Sequence, residues 1–231
     1  MTAAGETSAA RRRNASGEST RTMLMEVAER LFATRGIQAV TLREIQEAAQ
    51  QSNTSVIRYH FGSRDNLIRA LIAYRQNQLG PVRRELLAQI RSDGREGDPR
   101  AIVWLVVRPM ADSVRAGEMY VPFLARLSEN PRARRELWPE NVVDDWTEDK
   151  LEGLIEATMQ DLPATIRRGR VFQLYIGVIN VLAESARSKR ELSDVQLHNF
   201  VDGWVGMLTA PVSYETRRCI GESSDDPGHT S

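Results

Sequence analysis

The sequence predicts an all-α fold, with a small N-terminal helical domain and a larger helical domain behind it. Apolar residues recur at spacings of three and four through most of the chain, which is the repeat of an amphipathic α-helix. Serine, threonine and aspartate stand at the starts of these segments, where their side chains cap a first turn. Three short segments precede a longer one near the N-terminus, an order typical of a helix-turn-helix domain.

The amino-acid composition limits the classes of protein to which the chain can belong. The chain has 231 residues, of which 41% are hydrophobic and 27% are charged, so it can bury the core of one or two domains. Its longest apolar run, residues 101–107, is far shorter than the roughly 20 residues that cross a bilayer. Residues 1–17 lack the apolar segment of a secretory signal. The single cysteine, Cys219, excludes an internal disulfide framework, so we expect a reducing, cytoplasmic compartment.

The whole chain has no net charge, but its charged residues are unevenly distributed along the sequence. The sequence has 31 basic and 31 acidic residues, yet its first 75 residues carry eleven arginines against seven acidic residues. A basic N-terminal third favours a nucleic-acid-binding module. The three histidines lie far apart in the sequence, so we expect no metal site and no cofactor.

The N-terminal segments can be placed in order. Residues 1–18 lack periodicity and predict a disordered basic tail, either a basic arm along DNA or a plain solubilising segment. Residues 20–34 have one apolar face and predict a helix that ends at Gly36. Thr41 and Glu44 fit a capping box for a second helix, and a third is expected over residues 53–60.

Polar residues of the third helix suit the reading of DNA. Arginine and asparagine, as at Arg58 and Asn53, can form paired hydrogen bonds with guanine or adenine edges, and small hydroxyls can reach a base or a phosphate. Tyr59 and His60 suit phosphates. Alternatively, these residues form a plain solvated helix face. The predicted DNA-binding residues are Thr41, Arg43, Asn53, Thr54, Ser55, Arg58, Tyr59, His60 and Arg64.

Two stretches carry a family resemblance. Residues 31–45 read LFATRGIQAVTLREI, and residues 59–67 read YHFGSRDNL, with Ala49 between them. Over about residues 20–72 the chain closely resembles the N-terminal domain of TetR-family transcriptional regulators. It departs from the family pattern in the turn Gln50-Gln51-Ser52, where the family usually has a glycine, and at Arg58, where the family has an aromatic residue. The resemblance implies an operator-binding domain over residues 19–75.

The resemblance also implies that residues 76–213 form a helical domain that binds a small molecule and forms a homodimer, followed by a loose tail over residues 214–231. The sequence predicts a break or kink at Gly80-Pro81, a helix start at Asp98-Pro99 and an irregular segment over residues 132–145. Residues 171–182 look apolar all round, which suits the family's dimer interface or a thick monomeric core. The predicted interface residues are Ile176, Gly177, Asn180, Phe200, Trp204 and Met207.

A ligand pocket is predicted from aromatic, methionine and aliphatic residues at helical spacing, although such residues also build plain cores. Arg108 follows an apolar run and has two readings. It either pairs with Asp112, which we favour, or meets an anionic group of the ligand. The predicted ligand residues are Trp104, Val107, Arg108, Met110, Phe123, Leu127, Met159, Phe172 and Tyr175.

These features together predict a DNA-binding regulator, a repressor released from operator DNA by a small-molecule effector. Two alternatives belong to other classes. One is a helical interaction protein with a vestigial helix-turn-helix and no ligand response. The other is an enzyme, for which the sequence offers no Ser-His-Asp or Cys-His arrangement, no glycine-rich phosphate loop and no metal-ligand spacing.

Overall fold

The computed structural model describes residues 3–51, 55–138, 148–190 and 192–224, and within these ranges it contains helices and no strand. The all-α prediction is therefore confirmed. The helices are α1 (Ala3–Arg35), α2 (Leu42–Ala48), α3 (Val56–Phe61), α4 (Arg64–Ser92), α5 (Pro99–Arg115), α6 (Tyr120–Ser128), α7 (Pro131–Leu137), α8 (Glu148–Ala157), α9 (Ala164–Ser188), α10 (Asp194–Thr209) and α11 (Tyr214–Ser224).

The N-terminal domain is built from α1, α2, α3 and the start of α4. Phe32 of α1, Ile45 of α2, Ile57 of α3 and Leu67 of α4 are buried and share one core. Helix α1 begins at Ala3, well before the start near Thr20 that the sequence predicts. The extra turns lack an apolar face, so periodicity could not indicate them, although alanine and arginine are strong helix formers.

Helix α4 joins the two domains without a break. It runs through Pro81 as one element of 29 residues, so the helix is not broken at Gly80-Pro81, and a kink there stays a prediction. A proline inside a helix removes one backbone hydrogen bond, and burial of the neighbouring Leu79 and Arg83 against the rest of the molecule offsets that loss. One continuous helix therefore belongs to both domains.

The larger domain is centred on α5. Residues 101–107 are buried apart from the partly exposed Trp104, as their all-round apolarity predicts. The predicted start of α5 is also confirmed, because the Asp98 side chain accepts a hydrogen bond from Arg100 N and Pro99 takes the first helical position. Around α5 pack α4, α6, α8, α9 and α10, and α6 also packs on α1 of the N-terminal domain.

Two segments expected to be irregular are helical. Helix α7 lies within the stretch predicted to lack regular structure, and the Asn130 side chain caps it by accepting hydrogen bonds from Arg132 N and Ala133 N. Asn130-Pro131 is a helix-start signal, because asparagine caps a first turn and proline suits the first helical position. Helix α11 lies within the predicted loose tail, where a polar segment has little apolar periodicity to indicate it.

Candidate DNA-binding surface and sensory cavity

Helix α2 starts with the capping box that its sequence predicts. Glu44 N donates to Thr41 Oγ1 at 3.2 Å, and Thr41 N donates to Glu44 Oε2 at 2.8 Å. Arg35, in the last turn of α1, donates to Glu44 Oε1 at 2.5 Å. The Thr41 N–H, and then Arg35, lower the pKa of the Glu44 carboxyl to about 2. The capping box and Arg35 therefore hold the start of α2 against the last turn of α1.

Helix α3 divides into a buried and an exposed face. Val56, Ile57 and Phe61 are buried. Arg58 and Tyr59 point outward, and Tyr59 is 83% exposed although it is a large aromatic residue. Its ring makes an edge contact with His60, with centroids 5.0 Å apart. A side chain of this kind on a rigid short helix is suited to a backbone phosphate or a base edge.

Five of the nine predicted DNA-binding residues are exposed, on α2, on α3 or directly before these helices. Ser55, Arg58, Tyr59, Thr41 and Arg43 are exposed, and we call these five the DNA-binding surface. His60 beside them is partly exposed. Asn53 and Thr54 lie outside the described residues, so their predicted contacts stay predictions.

Arg64 is placed differently from the expectation. Its guanidinium donates to the Ile37 carbonyl and lies over the Phe32 ring, 5.5 Å from the centroid. The side chain is thus turned toward α1 and braces the loop before α2. Arg21 makes a similar contact, which helical periodicity does not predict, with its guanidinium 5.1 Å from the Phe61 centroid. Through these contacts, Arg64 stabilises the loop before α2 and Arg21 stabilises the end of α3.

The turn after α2 explains the departure from the family's glycine. Gln50 adopts φ +54°, the left-handed region that a glycine enters without steric cost. Ala49 caps α2, and the Gln50 and Gln51 N–H groups bond back to the carbonyls of Glu47 and Gln46 at 3.0 and 3.1 Å. The turn therefore keeps the conformation that a glycine would favour, with a strained glutamine in its place.

A buried ion cluster ties the two domains together. Arg75 of α4 donates to both carboxylate oxygens of Glu29 in α1, at 2.6 and 2.8 Å. It also donates to Glu118, just before α6, at 2.7 Å, and Ser113 donates to the same carboxylate at 2.5 Å. Met119 N completes the cluster by donating to Glu29 at 3.1 Å. The sequence reading missed this site, although Glu29 interrupts the apolar face of α1.

Because the cluster is buried, its charged side chains are stable only when they are paired with one another. The side chains of Arg75 and Glu29 are 7% and 3% exposed. Burial raises the pKa of the Glu29 carboxyl, while the hydrogen bond and charge of Arg75 oppose that rise. The two carboxylates raise the pKa of Arg75, which keeps its guanidinium charged. A buried carboxylate without this arginine would be strongly destabilised.

A cavity of about 350 Å³ opens between α4 and the helices α5 to α9. Met110, Leu124, Leu127, Val171 and Ile179 give it an apolar wall. Its volume is near the lower end of the range of about 300–1,000 Å³ found for small-molecule sites.

Two buried polar residues of α4 also line the cavity. Arg83 donates to Gln76 Oε1 at 2.9 Å, and Gln76 Nε2 donates to the Tyr120 hydroxyl at 3.0 Å. Gln76 follows Arg75 in the chain, and Tyr120 follows Met119. The cavity wall therefore adjoins the ion cluster on both α4 and α6.

Comparison with known proteins bears on the N-terminal domain. The family described as "Bacterial regulatory proteins, tetR family" matches residues 24–71. Residues 24–71 of the chain therefore belong to this family of regulators. No curated protein sequence matches it. Among solved structures, the crystal structure of a gamma-butyrolactone receptor, described as an ArpA-like protein, is 18% identical; the match covers 84% of this chain and all of that one, with a TM-score of 0.47.

Four of the nine predicted ligand residues of this regulator line the cavity. These are Met110, Leu127, Phe172 and Tyr175. The sequence reading missed Gln76 and Arg83, which interrupt the apolar face of α4. That interruption was the available signal.

The other five predicted ligand residues lie elsewhere. Trp104 faces α10, where its ring meets His198 edge-on at 5.0 Å. Phe123 packs between Phe32 and Tyr120, and Val107 and Met159 fill the core. Arg108 is exposed and its Nε donates to Asp112 at 3.3 Å, the favoured pairing. Trp104 and Arg108 lie on other faces of α5 than Met110, and Val107, Phe123 and Met159 are enclosed in the core.

The predicted dimer residues of the regulator lie on the outer face of α9 and α10. Asn180 is exposed, and Ile176, Gly177, Phe200, Trp204 and Met207 are partly exposed. Trp204 packs within its own protomer, because a Cβ built on Gly177 would lie 2.7 Å from Trp204 Nε1. Contrary to the all-round burial expected of residues 171–182, Phe172 is 52% exposed. One face of α9 is thus uncovered in the single chain.

Two further observations concern the described part of the chain. No helix there is long and apolar enough to cross a membrane. The same residues contain no group of three or more His, Cys, Asp or Glu side chains that could hold a metal ion.

Proposed function

We propose that this regulator is a homodimeric repressor that leaves its operator DNA when a small molecule enters the cavity. One observation carries the proposal. Helix α4 starts beneath the DNA-binding surface, binds α1 through Arg75 and lines the cavity with Gln76 and Arg83. A ligand that displaces these two side chains acts on the same helix that holds the DNA-binding domain.

When the chain binds DNA, α3 lies in the major groove. Arg58 reads a base edge together with Asn53 and Thr54, and Tyr59 holds a phosphate. Two copies of the surface in a dimer bind half-sites about one turn of DNA apart, roughly 34 Å. Operator DNA, a small-molecule effector and a second copy of the chain are the proposed partners, in the cytoplasm and without a membrane, metal or cofactor.

The cavity is coupled to the DNA-binding domain through hydrogen bonds between α4 and the start of α6. A ligand that competes for Gln76 loosens its hydrogen bond to Tyr120 and shifts the start of α6, where Glu118 and Met119 bind the ion cluster. Glu29 in α1 follows that shift. Ligand and DNA then favour different arrangements of one dimer, so each weakens binding of the other by the same factor, typically worth about 1–3 kcal/mol.

A binding selection on a randomised duplex library, followed by sequencing, tests the DNA half of the proposal. We expect enrichment of a two-fold symmetric site whose affinity falls steeply with salt, because arginines displace counterions from phosphates. If no sequence is enriched and no salt-dependent binding occurs, the chain is a helical interaction protein with a vestigial helix-turn-helix.

The release half is tested with Gln76→Leu. This variant should keep its affinity for the selected operator but lose most of the response to any compound that releases the wild type. Gln89→Leu is the matched control, because Gln89 is an exposed glutamine of the same helix that bonds only to Asp93. Equal release of both variants would exclude the route through Gln76.

A further inference from the structure

The mouth of the cavity carries an excess of positive charge. Arg134 and Arg135 of α7 and Arg168 of α9 line it beside the buried Arg83, and Glu152 is the acidic residue among the lining side chains. Within the described part of the chain, no carboxylate lies within 4.0 Å of Arg134, Arg135 or Arg168. Their neighbours differ, since Arg132 pairs with Glu136 at 2.7 Å and Arg167 with Glu156 at 3.1 Å.

An uncovered aromatic ring adjoins these arginines. Phe172 lines the cavity and is 52% exposed, and the Arg134 guanidinium lies 5.5 Å from the centroid of its ring. Beyond the ring, the wall formed by Met110, Leu127 and Val171 is apolar and buried. The site thus has an apolar interior, an aromatic rim and cationic groups at the opening.

We infer that the effector is an anionic amphiphile, a molecule with an apolar body and one carboxylate or similar anionic head. The body fills the cavity and covers Phe172, and the head lies at the mouth among Arg134, Arg135 and Arg168. Charge-assisted hydrogen bonds to guanidinium groups favour a planar carboxylate there, and burial of the body supplies most of the affinity. This inference rests on the proposed function, since it names the ligand class of the proposed sensory cavity.

Three probes of equal chain length test the head group: decanoate, decanol and decyltrimethylammonium. Titration calorimetry on the full chain should give tightest binding for decanoate, with decanol at least about tenfold weaker and the cation weaker still. Raising the salt concentration should weaken decanoate binding and leave decanol unchanged. Decanol or the cation binding as tightly as decanoate would overturn the inference, and so would failure of all three probes to bind.

Variants at the mouth separate the roles of the residues. Arg134→Gln with Arg168→Gln should weaken decanoate about tenfold and leave decanol unchanged. Arg132→Gln, on the same helix but outside the lining, should change neither affinity. Phe172→Gln should weaken both probes, and its half-exposed site tolerates a polar residue. Loss of decanol binding in the arginine double variant would show a general disturbance and overturn the head-group role.

Operator binding with and without decanoate distinguishes this inference from the proposed function. Tight decanoate binding with undiminished operator affinity supports the anion site and contradicts ligand-controlled release. Release of operator by an uncharged or cationic compound, with no decanoate binding, supports the proposed function and overturns the inferred ligand class.

Discussion

At the scale of single residues, Arg58 is the described residue best placed to read a base. It is exposed on α3, between the buried Ile57 and the exposed Tyr59. We expect Arg58→Ala to weaken operator binding by about 1–3 kcal/mol and to relax the preferred sequence, while Tyr59→Phe weakens binding with the preference unchanged. Binding profiles on a randomised operator library measure both effects. An unchanged profile for Arg58→Ala would place base reading on other residues.

Arg75 has the largest predicted effect on stability. Arg75→Met leaves Glu29 buried without its guanidinium, so we expect a loss of about 3–5 kcal/mol in the free energy of unfolding, measured by chemical denaturation. Arg91→Met is the control, because the Arg91–Glu96 pair is exposed and should contribute at most about 1 kcal/mol. Similar losses for the two variants would mean that the ion cluster does not hold the domains together.

Glu44 predicts a pH dependence. The pKa of its carboxyl is about 2 in the fold, below its ordinary value of 4.5, because Thr41 N–H and Arg35 bind the charged form. A lowered pKa stabilises the fold above pH 4.5, and this contribution is lost as the pH falls toward 2. The difference in Tm between the wild type and Glu44→Gln should be constant from pH 7 to about 5 and shrink below it.

Glu47→Gln is the matched control for this pH series, since Glu47 lies on the same helix and pairs only with the exposed Arg43. The gap between the wild type and Glu47→Gln should be smaller at neutral pH. A gap for Glu44→Gln that does not narrow on acidification would contradict the role given to the capping box.

At the scale of elements, two turns hold a residue with a side chain in the left-handed region. Gln50 after α2 has φ +54°, and Lys189 at the end of α9 has φ +52°. Gln50→Gly and Lys189→Gly should each stabilise the fold by roughly 1 kcal/mol, because glycine adopts this conformation without the steric cost. Thermal melts measure the effect. Gln51→Gly, where φ is not positive, should give no gain, and a gain there as large as at Gln50 would refute the explanation.

At the scale of the whole molecule, the outer face of α9 and α10 predicts a dimer. Gly203 and Gly206 lie on this face, and apart from the neighbouring backbone of α10 a Cβ at either position meets no atom of the described residues within 4 Å. Gly203→Glu should therefore fold as a protomer but place a charge in the interface, giving monomers by light scattering at micromolar concentration. The wild type should have twice the mass of one chain.

Gly177→Glu is a contrasting variant and not a clean test of assembly. Its Cβ would approach Trp204 Nε1 of the same chain to 2.7 Å, so it should lower the Tm as well as the mass. A Gly203→Glu variant that remains dimeric would move the interface to another face of the molecule.

Local chemistry determined much of this protein from the sequence alone. The capping residues Thr41 and Asp98 predicted the starts of α2 and α5, because a cap involves only the few residues of one turn. Exposure of Arg58 and Tyr59 was predicted in the same way, since a short helix with one apolar face exposes the other. Their role in binding DNA stays a prediction. The family motif lies within these same residues.

Only the tertiary structure decided which side chains meet across helices. Glu29 and Arg75 are 46 residues apart, and Gln76 and Tyr120 are 44 apart, so no local pattern relates them. For the same reason, the sequence did not predict that Arg83 lines the cavity or that Trp104 lies against α10 instead. Helical periodicity states which residues share a face, but packing alone determines what that face meets.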